Sequence, residues 1–491
     1  MSPIHTHAQL SIRNIRRLLI IAFGCLALAL SLGAGEAGAS HGQATFFEDT
    51  SELLNPATRS KALGALEHLG VKALRVELYW HSVAPAANSS RRPSFDATDP
   101  NSYSWGGYDW VLSEAARLKW QVLLTVTSPV PKWATAGHKD LVTRPNDTQF
   151  REFMTAVGRR YGSEASLFAI WNEPNHPAFL LPQFNRRNQP ESPRIYRGLF
   201  QAGYEGLKAA GIAKPKLLMG ETAPFGYDKV NVRHEGRRAL LHDVSPLAFL
   251  RGALCLNTHY RKSGTCGMLP AYGYAHHAYT TGQGPSYRPP ADDVTIGVLS
   301  RLSSALDRAA RAHAIRAHIP IYLTEYGVQS KPSILGVSLA KQAEFDALSE
   351  KIAWANGRVA GFSQYLLRDD PLSSGPPGSS VHGGYIGFQT GLVEHNGKRK
   401  PLYYGFPVPL VVSKQRGGYS LWGLVRPATG VTKVKVLVKA KHAKRYSTLK
   451  IVTTDSHGYW SLRSSRPGAS WRVSWRSPAG VAYNGPPIKA M

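Results

Sequence analysis

Short apolar runs alternate with amphipathic helical stretches from about Ala44 to Leu366. The runs typical of strands are Ala44–Glu48, Ala73–Tyr79, Val122–Thr127, Leu167–Glu173, Lys216–Glu221, Tyr272–Tyr279, Ile319–Glu325 and Val359–Leu366. Eight strands that alternate with helices predict a parallel sheet, because parallel neighbours need crossover connections. A doubly wound open sheet is the alternative, but no Gly-rich phosphate turn follows the first strand. We therefore predict an α/β fold, a closed (β/α)8 TIM barrel, over residues 40–405.

Two of the predicted helices have well-defined ends and faces. One is predicted after Pro145, capped by Asn146 or Asp147, and its apolar face is Phe150, Phe153, Met154, Val157 and Tyr161. The other begins after Ser338 and stops at Asn356-Gly357; its predicted inward face is Leu339, Ala343, Phe345, Leu348 and Ile352.

The pattern changes beyond Pro407. Seven short β-type runs follow, separated by turn residues such as Ser456-His457-Gly458. This spacing predicts a small antiparallel β-sandwich over residues 406–491. The chain thus consists of a large barrel domain and a small accessory domain.

Charge is unevenly distributed along the 491 residues. Of the formal net charge of +27, the segment 406–491 carries a large share, with 15 Lys plus Arg against one acidic residue, Asp455. Lys433-Val434-Lys435-Val436 predicts a strand with one basic and one apolar face. Such a face suits an anionic envelope polymer; a solvated face or a solubility device is the alternative. No recognised nucleic-acid module is present, and we expect no nucleic acid as a partner.

The first 39 residues have the pattern of a secretory signal peptide. Three arginines precede an apolar run from Leu18 to Leu32, and Ala37-Gly38-Ala39 is a small-x-small cleavage site. The run is shorter than the ~20 residues that span a bilayer, so an uncleaved anchor is the less favoured reading. We predict cleavage after Ala39 and a secreted, extracellular protein, or one held at the cell envelope, with no transmembrane segment after cleavage.

Cleavage would leave two of the three cysteines, Cys255 and Cys266. In an exported chain, two nearby cysteines most simply form one loop-closing disulfide. Two free thiols are the alternative. A metal site is the least favoured, because two thiolates without neighbouring ligands bind zinc poorly.

The candidate chemistry lies where the predicted strands end, which is where barrel enzymes carry their active sites. Arg75 lies on the second strand, Glu173 closes the fourth and Glu325 closes the seventh. Two carboxylates in a cleft rimmed by aromatic side chains suit cleavage of a glycosidic bond, which needs one protonated acid and one ionised carboxylate. Aromatic rings also form natural sugar subsites. The candidates for that role are Trp80, Trp133 and Tyr365.

Two motifs carry a resemblance to a known group of enzymes. Ile170-Trp171-Asn172-Glu173-Pro174-Asn175 and Leu323-Thr324-Glu325-Tyr326-Gly327 resemble the two catalytic signatures of clan A glycoside hydrolases. Family 5, the cellulase-type family, is the nearest match, and family 39 is a close second. The resemblance implies a retaining double displacement with Glu173 as acid/base and Glu325 as nucleophile, and it requires no metal or cofactor.

The resemblance also implies roles for four further residues. Asn172 would hold the substrate 2-hydroxyl, Arg75 would keep the nucleophile ionised, Tyr279 would donate a hydrogen bond to it, and His277 would line the cleft. One departure is visible: the family's strand-eight tryptophan platform is absent, and Gln364 or Tyr365 stands there instead.

Some residues and functions have competing interpretations. Glu77 and Glu221 are rival carboxylates, for which structural pairing with Arg75 or with a loop is favoured. His276 and His277 are adjacent on one strand and face opposite sides, so one of them packs, and we favour His277 as functional. A secreted glycosidase acting on a β-linked polysaccharide or glycoside is the leading function. A non-catalytic carbohydrate-binding protein and an envelope-attachment protein are the alternatives.

Overall fold

The computed structural model describes residues 39–40, 42–231, 241–371 and 387–491. The predicted signal segment lies outside them, apart from Ala39. Within the described ranges, no helix combines the length and the apolar character needed to cross a membrane.

Eight parallel strands close into a barrel in chain order, each pairing with the next and the eighth with the first. They are β1 (Ala44–Glu48), β2 (Ala73–Tyr79), β3 (Gln121–Thr127), β4 (Leu167–Ile170), β5 (Leu217–Thr222), β6 (Gly273–His277), β7 (Ile321–Glu325) and β8 (Val359–Tyr365). The predicted TIM barrel and its eight strands are confirmed. The largest difference is in β4, which ends three residues earlier than predicted because the chain turns into the site at Trp171.

Helices surround the barrel. They are α1 (Thr50–Leu54), α2 (Arg59–His68), α3 (Trp80–Val83), α4 (Gly107–Arg117), α5 (Asp147–Tyr161), α6 (Ser192–Ala209), α7 (Pro246–Ala253), α8 (Leu299–Arg311), α9 (Leu339–Trp354) and α10 (Pro401–Gly405). Short 3₁₀ turns lie at Pro100–Ser102, Lys132–Ala134, Ala136–His138, Gly284–Ser286 and Ile296–Val298. In α5 the predicted apolar face is buried, and Asn146 caps the helix by accepting from the Gln149 amide at 2.9 Å.

The buried face of α9 differs from the prediction. The helix begins as expected, with Ser338 accepting from the Lys341 amide. Of the predicted inward residues, only Ala343 is buried, and the other four are half-buried. The buried positions include four polar residues: Gln342, Asp346, Ser349 and Glu350. Gln342 and Ser349 bond to groups of the barrel domain, and Glu350 bonds to the C-terminal domain.

The C-terminal domain is the predicted antiparallel sandwich of seven strands. These are β9 (Leu410–Gln415), β10 (Gly418–Leu424), β11 (Lys433–Lys439), β12 (Ser447–Thr453), β13 (Tyr459–Ser464), β14 (Ser470–Arg476) and β15 (Ala482–Asn484). One sheet has the order β13-β10-β9 and the other the order β12-β11-β14-β15. Their inner faces share a core of valines and tryptophans, including Val436, Trp471 and Val473.

A buried ion pair joins this domain to the barrel. Arg426 donates to both carboxylate oxygens of Glu350 on α9, each at 2.9 Å, and both side chains are buried. The same guanidinium donates to the Phe406 carbonyl and to the Thr45 hydroxyl at the start of β1. With its donors shared among three acceptors, Arg426 holds the junction between the two domains.

Further contacts place the domain at the amino-terminal ends of the barrel strands. Lys72 donates to the Ala428 carbonyl at 2.9 Å, and the Tyr483 hydroxyl donates to the His68 carbonyl at 2.8 Å. Gly70, with φ +85°, leads into β2, and a Cβ there would lie 2.6 Å from the Pro427 nitrogen. Only glycine permits both that conformation and that approach. The domain therefore packs at the bottom of the barrel.

A disulfide joins Cys255 to Cys266 in the segment that follows α7. This is the pairing expected from the sequence, and it leaves neither the free-thiol nor the metal-binding interpretation in place for these two residues.

Candidate active site

Two carboxylates meet at one imidazole at the carboxyl end of the barrel. Nδ1 of His277 lies 2.9 Å from Oε1 of Glu173 and 3.4 Å from Oε2 of Glu325. Glu173 follows β4, His277 ends β6 and Glu325 ends β7. The structure thus brings together three residues that the sequence placed on three separate strand ends.

The backbone after β4 takes an unusual course that aims Glu173. Trp171 has φ +70° and Glu173 has φ +38°, a region that L-residues seldom adopt. Hydrogen bonds on both sides hold it there: the Glu173 amide donates to the Glu221 carbonyl at 3.0 Å, and the Asn172 amide donates to the Thr127 hydroxyl at 2.9 Å. Strain of this kind persists where the surroundings determine it, as at functional sites.

Arg75 lies at the centre of the hydrogen-bond network of the site. Its Nε and Nη2 donate to the two oxygens of Glu221 at 3.2 and 2.7 Å, and Nη2 also donates to Oδ1 of Asn172 at 2.8 Å. Its Nη1 donates to Oε2 of Glu325 at 3.3 Å and to Glu48. The side chain is fully buried. Arg75 is therefore a positioning residue that acts through its neighbours, Glu325 among them.

Glu48 is a site residue that the sequence reasoning missed. It ends β1, is buried, and pairs with Arg75. Burial, reinforced by Glu325 and Glu77, raises its pKa well above the ordinary value although Arg75 opposes the shift. Its position at a strand end was the signal that could have identified it.

The rival carboxylates have structural partners. Glu221 is fully buried, binds Arg75 with both oxygens and accepts from the Thr125 hydroxyl at 2.9 Å. Glu77 lies 3.7 Å from Arg75 and accepts from the Tyr79 hydroxyl. Within the described residues, no group of three or more His, Cys, Asp or Glu side chains is arranged to hold a metal ion. Glu221 and Glu77 both pair with the guanidinium of Arg75.

The two central glutamates lie in different electrostatic surroundings. Burial raises the pKa of Glu173 to about 7. Burial also raises the pKa of Glu325, but the positive charge of Arg75 opposes that shift. Tyr279 in addition donates a hydrogen bond of 2.6 Å to Oε1 of Glu325. Such hydrogen bonds favour the ionised form of a carboxyl group, so the ionised form is more strongly stabilised at Glu325 than at Glu173.

The two adjacent histidines differ as expected. His276 bonds to the Thr222 hydroxyl at 2.9 Å and to the Val294 carbonyl at 2.8 Å, so both of its ring nitrogens serve the packing. His277 faces the carboxylates, and its Nε2 is buried with no hydrogen-bond partner. Burial lowers the pKa of His277, which favours a neutral ring between the two glutamates.

Two of the expected subsite tryptophans lie in the core instead. Trp80 is fully buried, stacks on Phe153 with ring centroids 5.1 Å apart, and meets Trp133 edge-on at 5.9 Å. Trp133 is 3% exposed. Trp80 fills the space next to α5 and Trp133 packs against Trp80 and Phe95, so neither ring is open to a substrate and their assignment to substrate binding is wrong. Large aromatic residues at strand ends can turn inward to a neighbouring helix as readily as toward the cleft.

A separate aromatic group lies at the rim of the site. Tyr365 and Tyr279 are half-buried, and their ring centroids are 6.5 Å apart. Phe388 is 37% exposed and lies 5.0 Å from Tyr365 and 6.0 Å from Tyr279. Gln364 is buried and donates to the Thr390 carbonyl, so it is not a platform. Phe388 was missed, since it comes from a loop without a periodic pattern.

No family model and no curated protein matches the chain. Solved structures do align with it at low identity. A family 39 glycoside hydrolase from Bacteroides cellulosilyticus WH2 is 14% identical over 87% of this chain and 81% of its own, with a TM-score of 0.48. A monomeric β-xylosidase from Caulobacter crescentus CB15 is 14% identical over 93% of this chain and 96% of its own, also with a TM-score of 0.48.

A family 51 α-L-arabinofuranosidase from Bifidobacterium longum aligns less closely. It is 12% identical over 88% of this chain and 97% of its own, with a TM-score of 0.43. None of these three structures is described as family 5, the family placed first from the motifs. At such identities and TM-scores they assign no activity, and the barrel rests on its own strand pairing.

Proposed function

We propose that the protein is a secreted retaining glycoside hydrolase of clan A that cleaves a β-linked polysaccharide or glycoside. The observation that carries this proposal is the single His277 nitrogen lying 2.9 Å from Glu173 and 3.4 Å from Glu325. Because one nitrogen contacts both Oε1 of Glu173 and Oε2 of Glu325, these two oxygens lie closer together than the roughly 6.5–9.5 Å that separates the two carboxyl groups of inverting enzymes. The spacing favours direct attack by a carboxylate over attack by an interposed water.

In the first step, Glu173 is the acid and Glu325 is the nucleophile. With its pKa raised to about 7, Glu173 holds a proton at neutral and mildly acidic pH and gives it to the leaving glycosidic oxygen. A Glu325 oxygen attacks the anomeric carbon while the bond between that carbon and the glycosidic oxygen breaks. The product is a glycosyl ester of Glu325. In the second step, ionised Glu173 takes a proton from water, whose oxygen attacks the same carbon and releases Glu325.

The neighbouring side chains orient this pair. Arg75 donates a hydrogen bond of 2.8 Å to Oδ1 of Asn172 and so fixes the orientation of that amide. The amide nitrogen of Asn172 is then left to donate to the sugar 2-hydroxyl. Tyr279 and Arg75 hold Glu325 in place and stabilise its ionised form. Tyr365 and Phe388 provide aromatic faces for a sugar ring at the rim.

Turnover of activated aryl β-glycosides tests the proposal. We expect the mature protein to hydrolyse at least one sugar of a panel and Glu325→Ala to hydrolyse none. Glu173→Ala should keep kcat/KM on a dinitrophenyl glycoside, whose leaving group needs no acid, and lose it on a phenyl glycoside. Equal losses on both substrates would contradict the acid/base assignment.

A protein that binds glycans without cleaving them is the alternative. It predicts no turnover on the aryl panel or on neutral and acidic β-glycans, together with binding that Glu325→Ala leaves unchanged. Export rests on the sequence pattern of residues 1–39 alone. Sequencing the amino terminus of the protein from the culture medium tests it, and we expect the chain to begin at Ser40.

A further inference from the structure

One face of the four-stranded sheet in the C-terminal domain is made of cations. Along β11, Val434, Val436 and Val438 point into the core, so the alternate positions point outward. Along β14, Trp471, Val473 and Trp475 are buried in the same way. The outward cations of the two strands, here called the basic face, are Lys433, Lys435, Lys439, Arg472 and Arg476.

The strand register places these cations side by side. β11 and β14 are antiparallel neighbours, with Leu437 opposite Arg472 and Lys435 opposite Ser474. Neighbouring strands lie about 4.8 Å apart, and alternate residues of one strand lie about 7 Å apart. The basic face is therefore a compact array of positive charges on a rigid support.

No acidic side chain neutralises the basic face in the described part of the chain. None of its five cations takes part in a salt bridge there, and the four strands of the sheet contain no Asp or Glu. Arg472 donates to the Gly485 carbonyl at 2.9 Å and Arg476 to the Gly480 carbonyl at 2.6 Å. These bonds orient the guanidinium groups but leave their charge uncompensated.

The positions between the cations suit a sugar polymer. Ser474 and Asn484 lie opposite each other in the row of Lys435 and offer hydrogen-bonding groups. Ile451 is 54% exposed in the same row on β12. The Arg472 guanidinium lies 5.4 Å from the centre of the Tyr446 ring. Hydroxyl, amide and apolar groups among the charges match a polymer that has acidic groups on ring-shaped units.

We infer that the basic face binds a linear polyanionic glycan, with uronate carboxylates as the recognised groups. Cations gathered on one sheet face repel one another, and water and salt screen that repulsion only in part. A polymer with regularly spaced carboxylates would offset several of them at once. The inference concerns a surface separate from the catalytic barrel and holds whether or not the barrel turns over its substrate.

The test measures binding of the full-length mature protein to immobilised polygalacturonate by biolayer interferometry, with neutral xylan as the comparison polymer. We expect binding to polygalacturonate that weakens as NaCl screens the charges, and none to xylan. The variant Lys433→Ser/Lys435→Ser/Arg472→Gln should bind about a hundredfold more weakly, taking about 1 kcal/mol for each cation near an anionic surface.

A matched variant separates this face from net charge. Lys414→Ser/Arg416→Ser/Arg463→Gln removes three exposed cations from the three-stranded sheet of the same domain and from its β9–β10 turn. We expect it to bind like the wild type. An equal loss in both variants, or none in the first, overturns the inference.

Two further measurements complete the test. Unchanged hydrolysis of an aryl glycoside, or an unchanged unfolding temperature if there is no turnover, shows that both variants are folded. Vesicles carrying phosphatidylserine test the lipid alternative. Tighter, face-dependent binding to vesicles than to polygalacturonate overturns the glycan assignment, as does the absence of polygalacturonate binding by the wild type.

Discussion

The hydroxyl of Tyr279 donates a hydrogen bond of 2.6 Å to Oε1 of Glu325. Oε2 of the same carboxylate accepts from Arg75 at 3.3 Å. Each oxygen therefore has its own donor, and both donors favour the ionised form. Glu173 lies 2.9 Å from Nδ1 of His277 but has no such pair of donors among the described residues, and burial raises its pKa to about 7. This difference is the basis of the roles proposed for two chemically identical side chains.

Replacing Tyr279 by Phe removes one of those donors. A hydrogen bond to a charged group contributes about 1.5–3 kcal/mol, so we expect kcat to fall roughly ten- to hundredfold. The acidic limb of the pH–rate profile should move to higher pH, because Glu325 loses a group that favours its ionisation. Steady-state kinetics across pH 4–9 measures both. A fall in kcat with the acidic limb unmoved would count against the role of the hydroxyl.

The alkaline limb of the profile should report Glu173. Since the acid must hold its proton, kcat/KM on a substrate with a poor leaving group should fall as pH rises through about 7. A dinitrophenyl glycoside needs no proton, so its alkaline limb should flatten. Glu173→Gln should lack the limb altogether. Retention of the same alkaline limb in Glu173→Gln would show that another group produces it.

Trp80 should matter for stability rather than for binding. It is fully buried against Phe153, so Trp80→Ala should lower the free energy of unfolding by about 3–5 kcal/mol. Tyr365→Ala at the rim is the comparison: it should raise KM with a smaller change in stability. Thermal unfolding and substrate titration distinguish the two. A stable Trp80→Ala protein with a raised KM would place Trp80 back in the cleft.

Asp346 should make stability depend on pH. It is buried on α9, its Oδ1 has no hydrogen-bond partner, and burial raises its pKa to about 7. A carboxyl with a raised folded-state pKa contributes most stability below its unfolded pKa and loses it as pH rises through about 7.

Asp346→Asn should therefore be more stable than wild type at pH 8, by up to about 4 kcal/mol, with the difference vanishing near pH 4. Urea denaturation at both pH values measures this. Glu67→Gln, at an exposed position on α2, is the control and should change neither value. A destabilised Asp346→Asn protein at pH 8 would contradict the argument.

The strands could be predicted because burial on both faces leaves a continuous apolar run. The site could be predicted in outline because parallel strands bring their carboxyl ends to one edge, which placed Glu173, His277 and Glu325 together. The direction in which a side chain leaves a strand end depends on what packs there. Trp80 turned toward α5, and no pattern along the chain records that contact.

Two other differences have the same origin. On the polar buried face of α9, Glu350 pairs with Arg426, more than seventy residues away, while Gln342 donates to the Val328 carbonyl. Helical periodicity describes burial against one apolar surface and does not anticipate a partner domain. Phe388 joins the rim from a loop whose composition indicates only turns.

The junction at Arg426 and Glu350 has a consequence for how the two domains act on a polymer. The accessory domain packs at the amino-terminal ends of the barrel strands, and Glu173 and Glu325 lie at the opposite, carboxyl ends. A domain fixed there cannot lengthen the substrate cleft or hand a bound chain directly to Glu173. Under the two proposals above, the domain would tether the barrel, so that the glycan bound at the basic face and the bond cleaved at the carboxylates would belong to different stretches of material, or to different polymers.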